Sequence, residues 1–218
     1  MLATYTFNSH YNPVNTLGNQ LPSLRLLEGG KFNPAQYSPI LVHEYGQIRL
    51  KFFRWGMVPG WTKDDGKQNQ RLFAAAEHLF DHVAYRVPVR RKRCLIPADG
   101  FYVESGNVIN KQTYKLSQPD NTTFCFAGIY DTWKKRDGSI LHSFAMVTTP
   151  ANESLNRFGL QMPFILPKNL ENAWLNDHTS LSTISKILSQ SLNPNLKMSQ
   201  VQELKGTQEF NGLEQVAA

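Results

Sequence analysis

Cysteine, charge and long apolar runs are all scarce in this 218-residue chain, and each shortage removes a class of protein. With only two cysteines, Cys94 and Cys125, no disulfide framework can be built. Neither stands at metal-ligand spacing from any of the six histidines. Each lies in an apolar, strand-like run, so buried thiols in a reducing compartment are expected. No window reaches the roughly 18 apolar residues of a membrane span. Met1-Leu2-Ala3-Thr4-Tyr5-Thr6 has no charged stretch leading into an apolar one. The expectation is therefore a cytoplasmic protein without membrane, metal or cofactor. Charged residues make up 18% of the chain and hydrophobic ones 41%, a balance far from the disordered class that allows a substantial core. Acidic side chains are the scarcer sign, 17 against 23 Lys and Arg, leaving a net charge of +6. That excess permits an acidic partner such as nucleic acid without demanding one.

What is present is mostly strand-like. Residues 1–38 read as polar and irregular, with room for a short helix. Ile40-Leu41-Val42 and then Ile48-Arg49-Leu50-Lys51-Phe52 show the alternation of a half-buried strand. A Gly-, Asp- and Lys-rich loop follows over 59–70, and the apolar spacing over 74–85 predicts a helix limited by Pro88. Further strands are expected at Cys94-Leu95-Ile96 and Phe101-Tyr102-Val103, with a turn at Gly106-Asn107, and then over 113–116, 123–130 and 142–148. Asp137-Gly138 is a strong hairpin signal between the last two. Helices are expected over 171–176 and 181–190. Strands and helices do not alternate strictly, so the fold class is α+β, with a mainly antiparallel, barrel-like sheet flanked by helices. No composition shift marks a second domain: one domain over 1–205 and a flexible C-terminal tail over 206–218 are expected.

Several short blocks carry more than periodicity. They are Phe32-Asn33-Pro34-Ala35, the corner Arg54-Trp55-Gly56-Met57-Val58-Pro59-Gly60-Trp61, Arg93-Cys94-Leu95-Ile96-Pro97-Ala98-Asp99-Gly100-Phe101-Tyr102, Phe126-Ala127-Gly128-Ile129-Tyr130-Asp131-Thr132-Trp133, and Thr148-Thr149-Pro150-Ala151-Asn152 with Met162-Pro163 beyond it. In order and spacing they resemble the SRAP family, the SOS response-associated peptidases or abasic-site processing proteins. The block from Arg93 to Tyr102 is the most specific of them.

The resemblance implies a reaction and then withdraws its reagents. In the family, a cysteine at residue 2 offers an α-amine and a thiol together. The amine captures the aldehyde of an abasic site in single-stranded DNA and the thiolate closes the ring. An asparagine, a glutamate and a histidine orient the amine and move protons. Here residue 2 is Leu2, and the family's Asn-Ala-Arg-x-Glu stretch aligns with Phe73-Ala74-Ala75-Ala76-Glu77. Phe73 thus replaces the asparagine and Ala75 a DNA-contacting arginine. The glutamate position holds Val103, the histidine position Gly159, and two further arginine positions Thr4 and Gln161. Leu2 is too large for methionine trimming, which leaves Met1 as the terminal residue. No catalytic residue is therefore expected.

Replacements for the lost groups are weak. Glu104 follows Val103 in a strand and should face the opposite side. His78 and His82 are four apart, a spacing that can hold a metal, but no third ligand is evident. His142 has no evident partner. Nucleic-acid binding needs none of the lost groups. Arg86, Arg90, Arg91, Lys92 and Arg93 put five cations in eight residues, and Trp61 matches a tryptophan that lines the family's DNA groove. The candidate nucleic-acid-binding residues are Asn33, Arg54, Trp61, Lys63, Arg86, Arg90 and Arg91, with single-stranded DNA as the partner. The expected function is an inactive family member that at most holds single-stranded DNA non-covalently. The alternatives are an active cross-linker or peptidase using relocated groups, and a scaffold that binds no DNA.

Overall fold

A computed structural model describes residues 4–7, 29–63, 69–106, 110, 112–159, 161–190 and 195–201. The segments expected as a short N-terminal helix and as a C-terminal tail fall largely or wholly outside these residues, as does Leu2.

Strands β3 (Tyr37–Glu44) and β4 (Gln47–Trp55) form a hairpin, paired from Tyr37↔Arg54 to Glu44↔Gln47. β6 (Arg93–Ala98) pairs with β3 and runs antiparallel to β9 (Phe124–Lys134), which turns at Asp137-Gly138 into β10 (Ile140–Pro150). β10 then meets β4 in parallel at Ser143↔Arg54 and Phe144↔Trp55. The ring β10-β4-β3-β6-β9 is thereby closed into a five-stranded barrel, and closure leaves these strands no unpaired edge inside it. A second sheet, in the order β13 (Lys197–Val201), β8 (Gln112–Ser117), β7 (Gly100–Ser105), β1 (Thr4–Phe7) and β2 (Gly30–Phe32), lies against the barrel. One contiguous core joins the two sheets. At its centre Tyr5 of β1 stacks on Phe32 and meets Trp55 and Phe126 edge-on, with centroids 5.2, 5.5 and 6.1 Å away. The fold is α+β and mainly antiparallel, as the sequence leads one to expect.

The segment 1–38 is less irregular than its polarity suggests, since it supplies β1 and β2. The helix expected over 74–85 is not formed. Phe73–Ala75 is instead a short strand, β5, parallel to β10 through Met146↔Phe73, Val147↔Ala74 and Thr148↔Ala75. A single 3₁₀ turn, Ala76–His78, and irregular turns follow. The reason lies in burial: Ala74, Leu79, Ala84 and Tyr85 are buried while Val83 and Val87 stand 53% and 61% exposed, so no helical stripe faces the core. Pro88 opens rather than ends a helix, the short α1 (Pro88–Arg91), with the proline in its first turn.

The other two helices arise where expected. α2 (Lys168–Leu175) buries Trp174 and Leu175 against the barrel, and the Trp174 indole donates to the Cys94 carbonyl at 3.0 Å. α3 (Leu181–Leu188) begins after Ser180, whose hydroxyl accepts the Thr183 N–H at 3.2 Å, and turns Ile184 and Ile187 inward.

Candidate functional site

The C-terminal end of β10 is flanked by β5 on one side and β11 (Gln161–Pro163) on the other, with Thr148 paired to both Ala75 and Pro163. The irregular chain from 76 to 85 folds over this end and leaves a cleft of about 450 Å³. Its lining combines buried Tyr85, Thr148 and Pro163, the half-buried Arg71, Phe73, Ala75 and His82, and the exposed His78 and Gln161. Arg71 is placed by a two-way backbone pair with Met57, directly after the Trp55-Gly56 corner. Phe73 packs edge-on against buried Trp55 at 5.8 Å and 84°, so its ring cannot retreat into the barrel. His82 stacks on Tyr85 with centroids 4.4 Å apart, and its Nδ1 accepts the Ala84 N–H at 3.2 Å. The Tyr85 hydroxyl donates to the Phe73 carbonyl at 3.3 Å. Burial raises the Tyr85 pKa above its ordinary value, with Arg71 opposing, so it enters as a neutral phenol.

Phe73, Ala75 and Gln161, three positions at which the resemblance leads one to expect other residues, thus meet in one cleft. The Gln161 amide donates to Glu77 at 3.1 Å, which keeps a polar tie but no cation on that wall. Val103 is buried in a narrower hollow beside Phe101 and Phe158, which shares Gln161 and Pro163 with the cleft. Gly159 follows the 3₁₀ turn Asn156–Phe158 at φ 142 and ψ 166, a backbone region essentially restricted to glycine. Thr4 pairs with Tyr102 and donates its hydroxyl proton to Asn33 at 2.7 Å. Cys94 and Cys125 are fully buried, and desolvation pushes the Cys94 thiol well up. His142 stacks on Phe53 at 5.0 Å and shares a 3.2 Å hydrogen bond with Thr132, a structural arrangement on the barrel surface. Among the described residues no group of three or more His, Cys, Asp or Glu could hold a metal ion, and no helix is long and apolar enough to cross a membrane.

The basic run is divided by the fold. Arg86, Arg90 and Arg91 are exposed, but Arg93 is 1% exposed. Its guanidinium donates to the carbonyls of Val89, Arg90, Trp174 and Asn176, closing the C-terminal ends of α1 and α2 with one cation. Lys92 is spent on Asp131, its Nζ donating to Oδ1 at 2.6 Å. The other oxygen of Asp131 accepts the Gly60 N–H at 2.8 Å, which fixes the turn bearing Trp61, itself 53% exposed. Asp131 therefore ties the Trp61 turn to the base of the arginine segment. Lys63 is exposed and its carbonyl accepts from Arg136 at 3.4 Å. Arg54 is half-buried in β4, and Asn33 is held by Thr4 and by Gln36. No local motif marks Arg71 or Tyr85, and the block that opens at Thr148 gives no sign that its first residue lines a cleft, because these residues meet only through the pairings of β5 and β4 with β10.

The SOS response associated peptidase (SRAP) family model matches residues 24–206. The abasic site processing protein YoqW of Bacillus subtilis (strain 168) is 33% identical over 144 residues, covering 66% of this chain and 64% of YoqW. YoaM of the same organism, also named an abasic site processing protein, is 33% identical over 144 residues, covering 66% of this chain and 63% of YoaM. The match thus spans a little under two thirds of the length of these relatives. A crystal structure of a Bacteroides thetaiotaomicron protein superposes with a TM-score of 0.77 at 22% identity, over 90% of this chain and 91% of its own. The barrel, the ordered motifs and the family match all describe one relationship: this chain belongs to the SRAP family.

Proposed function

We propose that this chain is a catalytically silent member of its family that holds single-stranded DNA without a covalent bond. The observation that carries the reading is the make-up of the cleft: the positions that the resemblance assigns to chemistry and to phosphate contact are filled by Phe73, Ala75, Gln161 and, alongside, Val103. Sealing an aldehyde needs a thiolate next to an amine. Cys94 and Cys125 lie fully inside the core, and residue 2 is a leucine. Restoring a histidine at position 159 would also strain the backbone by about 1–3 kcal/mol, since φ there is 142. The exposed arginines and Trp61 support retained binding, because phosphate neutralisation and aromatic stacking need no reactive group.

The test is incubation of the purified chain with single-stranded DNA carrying one abasic site, read on a denaturing gel. The expected result is no adduct, while filter binding or anisotropy on the same DNA shows a complex. A protein–DNA band that survives heat and denaturant overturns the proposal.

A further inference from the structure

We infer that the cleft between the 73–85 segment and β11 takes one intact, unstacked nucleobase of the bound strand, in place of a base-less sugar. The inference rests on the DNA-binding reading above and names what the same cleft recognises. At about 450 Å³ the space falls within the roughly 300–1,000 Å³ of small-molecule sites. Its surface is mainly apolar, with a few convergent polar groups, which is the character of a site that buries a flat ring and reads its edge.

The stacking surface is Phe73. It is half-exposed on the cleft side and backed edge-on by Trp55, so the ring is presented in one fixed orientation. His82 and Tyr85 form a second aromatic pair in the lining. Since His82 Nδ1 accepts from Ala84, a neutral His82 carries its proton on Nε2 and offers a donor. Gln161 uses its amide N–H₂ on Glu77, which leaves its oxygen as an acceptor, and the Thr148 hydroxyl can play either part. A base edge carries both donors and acceptors, so a donor and an acceptor on the wall are what it requires. Arg71 in the lining supplies a cation for the adjoining phosphate. A sugar aldehyde would find the reverse: apolar Phe73 and Ala75 where the resemblance places an amide and a guanidinium, and no flat surface of its own to stack on them.

The experiment compares two short single-stranded oligonucleotides of identical sequence, one with 2-aminopurine at a central position and one with a stable tetrahydrofuran abasic analogue there. The intact strand should bind about tenfold more tightly, and the 2-aminopurine fluorescence should change on binding, as stacking on an aromatic ring alters it. Phe73→Ala should remove most of the preference. Because Phe73 packs on Trp55, Ala75→Leu is the companion variant: it fills the cleft without touching that contact and should also abolish the preference, so that the two strands bind alike. Equal or tighter binding of the tetrahydrofuran strand by the unaltered protein overturns the base assignment alone, and leaves the DNA-binding reading standing. Failure of both strands to bind overturns both. Displacement of the 2-aminopurine signal by micromolar deoxyadenosine monophosphate would assign the cleft to free nucleotides and overturn its assignment to a strand.

Discussion

Arg93 carries a charge that the fold uses internally. Its guanidinium donates to carbonyls at the ends of two helices, where the last carbonyls lack intrahelical partners; of the four, the Asn176 carbonyl also accepts the Thr179 N–H at 3.0 Å. Burial pulls its pKa down, with the Asp177 carboxylate opposing, and the four acceptors keep the cation worth burying. Arg93→Met preserves much of the volume but removes the charged donor from all four carbonyls and strands those of buried Val89 and Trp174. The loss should be about 3 kcal/mol or more, read as a lowered urea midpoint with an unchanged slope. A substitution at exposed Arg90 should leave that midpoint within about 0.5 kcal/mol of the parent. The two neighbouring arginines are alike in sequence and opposite in employment, and only the β6–α2 packing separates them.

The turn from Val58 to Thr62 is the element on which the proposed DNA contact depends. Gly60 lies so close to β9 that a Cβ there would meet the Thr132 carbonyl at 2.8 Å, and its N–H is held by Asp131. Trp133 closes the turn from the other side by donating its indole N–H to the Thr62 carbonyl at 2.8 Å. Gly60→Ala must push the turn outward and break the Asp131 bond, so the Trp61 ring moves while the arginines stay. Affinity for single-stranded DNA should fall by roughly the amount that Trp61→Ala removes, about 1–3 kcal/mol, and the salt slope should not change. A fall in slope instead would mean that the turn carries phosphate contacts. At this scale the sequence is legible where local chemistry decides. The β9–β10 hairpin is announced by Asp137-Gly138, and α3 falls within the helix expected over 181–190. It is illegible where long-range pairing decides. The stretch 74–85 has helical spacing, yet Ala74 is claimed by Val147 of β10, seventy-odd residues on, and that parallel pairing forbids the first turn of a helix. The same override hides the cleft: Phe73, Ala75 and Gln161 stand out in the sequence through the resemblance, whereas Arg71 and Tyr85 join them only after the barrel closes.

Across the whole molecule the net charge of +6 attracts any polyanion, and the question is whether binding is diffuse or localised. The fold removes Lys92 and Arg93 from the basic run and leaves Arg86, Arg90 and Arg91 exposed on one surface segment, with the Arg90 Nε–H donating to the Arg86 carbonyl at 3.1 Å. Asp131 ties the base of that segment to the Trp61 turn, so the segment that bears the cations is anchored beside the turn that bears the aromatic. Each phosphate neutralised on a single strand contributes about −0.7 to the slope of log K against log salt. Removing two of three localised cations, in Arg90→Ala with Arg91→Ala, should therefore make the slope shallower by about 1.4, with thermal stability unchanged because neither side chain is buried. Diffuse attraction predicts otherwise: the pair lowers the net charge by a third, yet the slope would hardly move, since other surface lysines would take over the released phosphates. An anisotropy titration at several salt concentrations separates the two cases. A slope that survives the double substitution would place the DNA on another face and detach the cleft from the strand it is proposed to read.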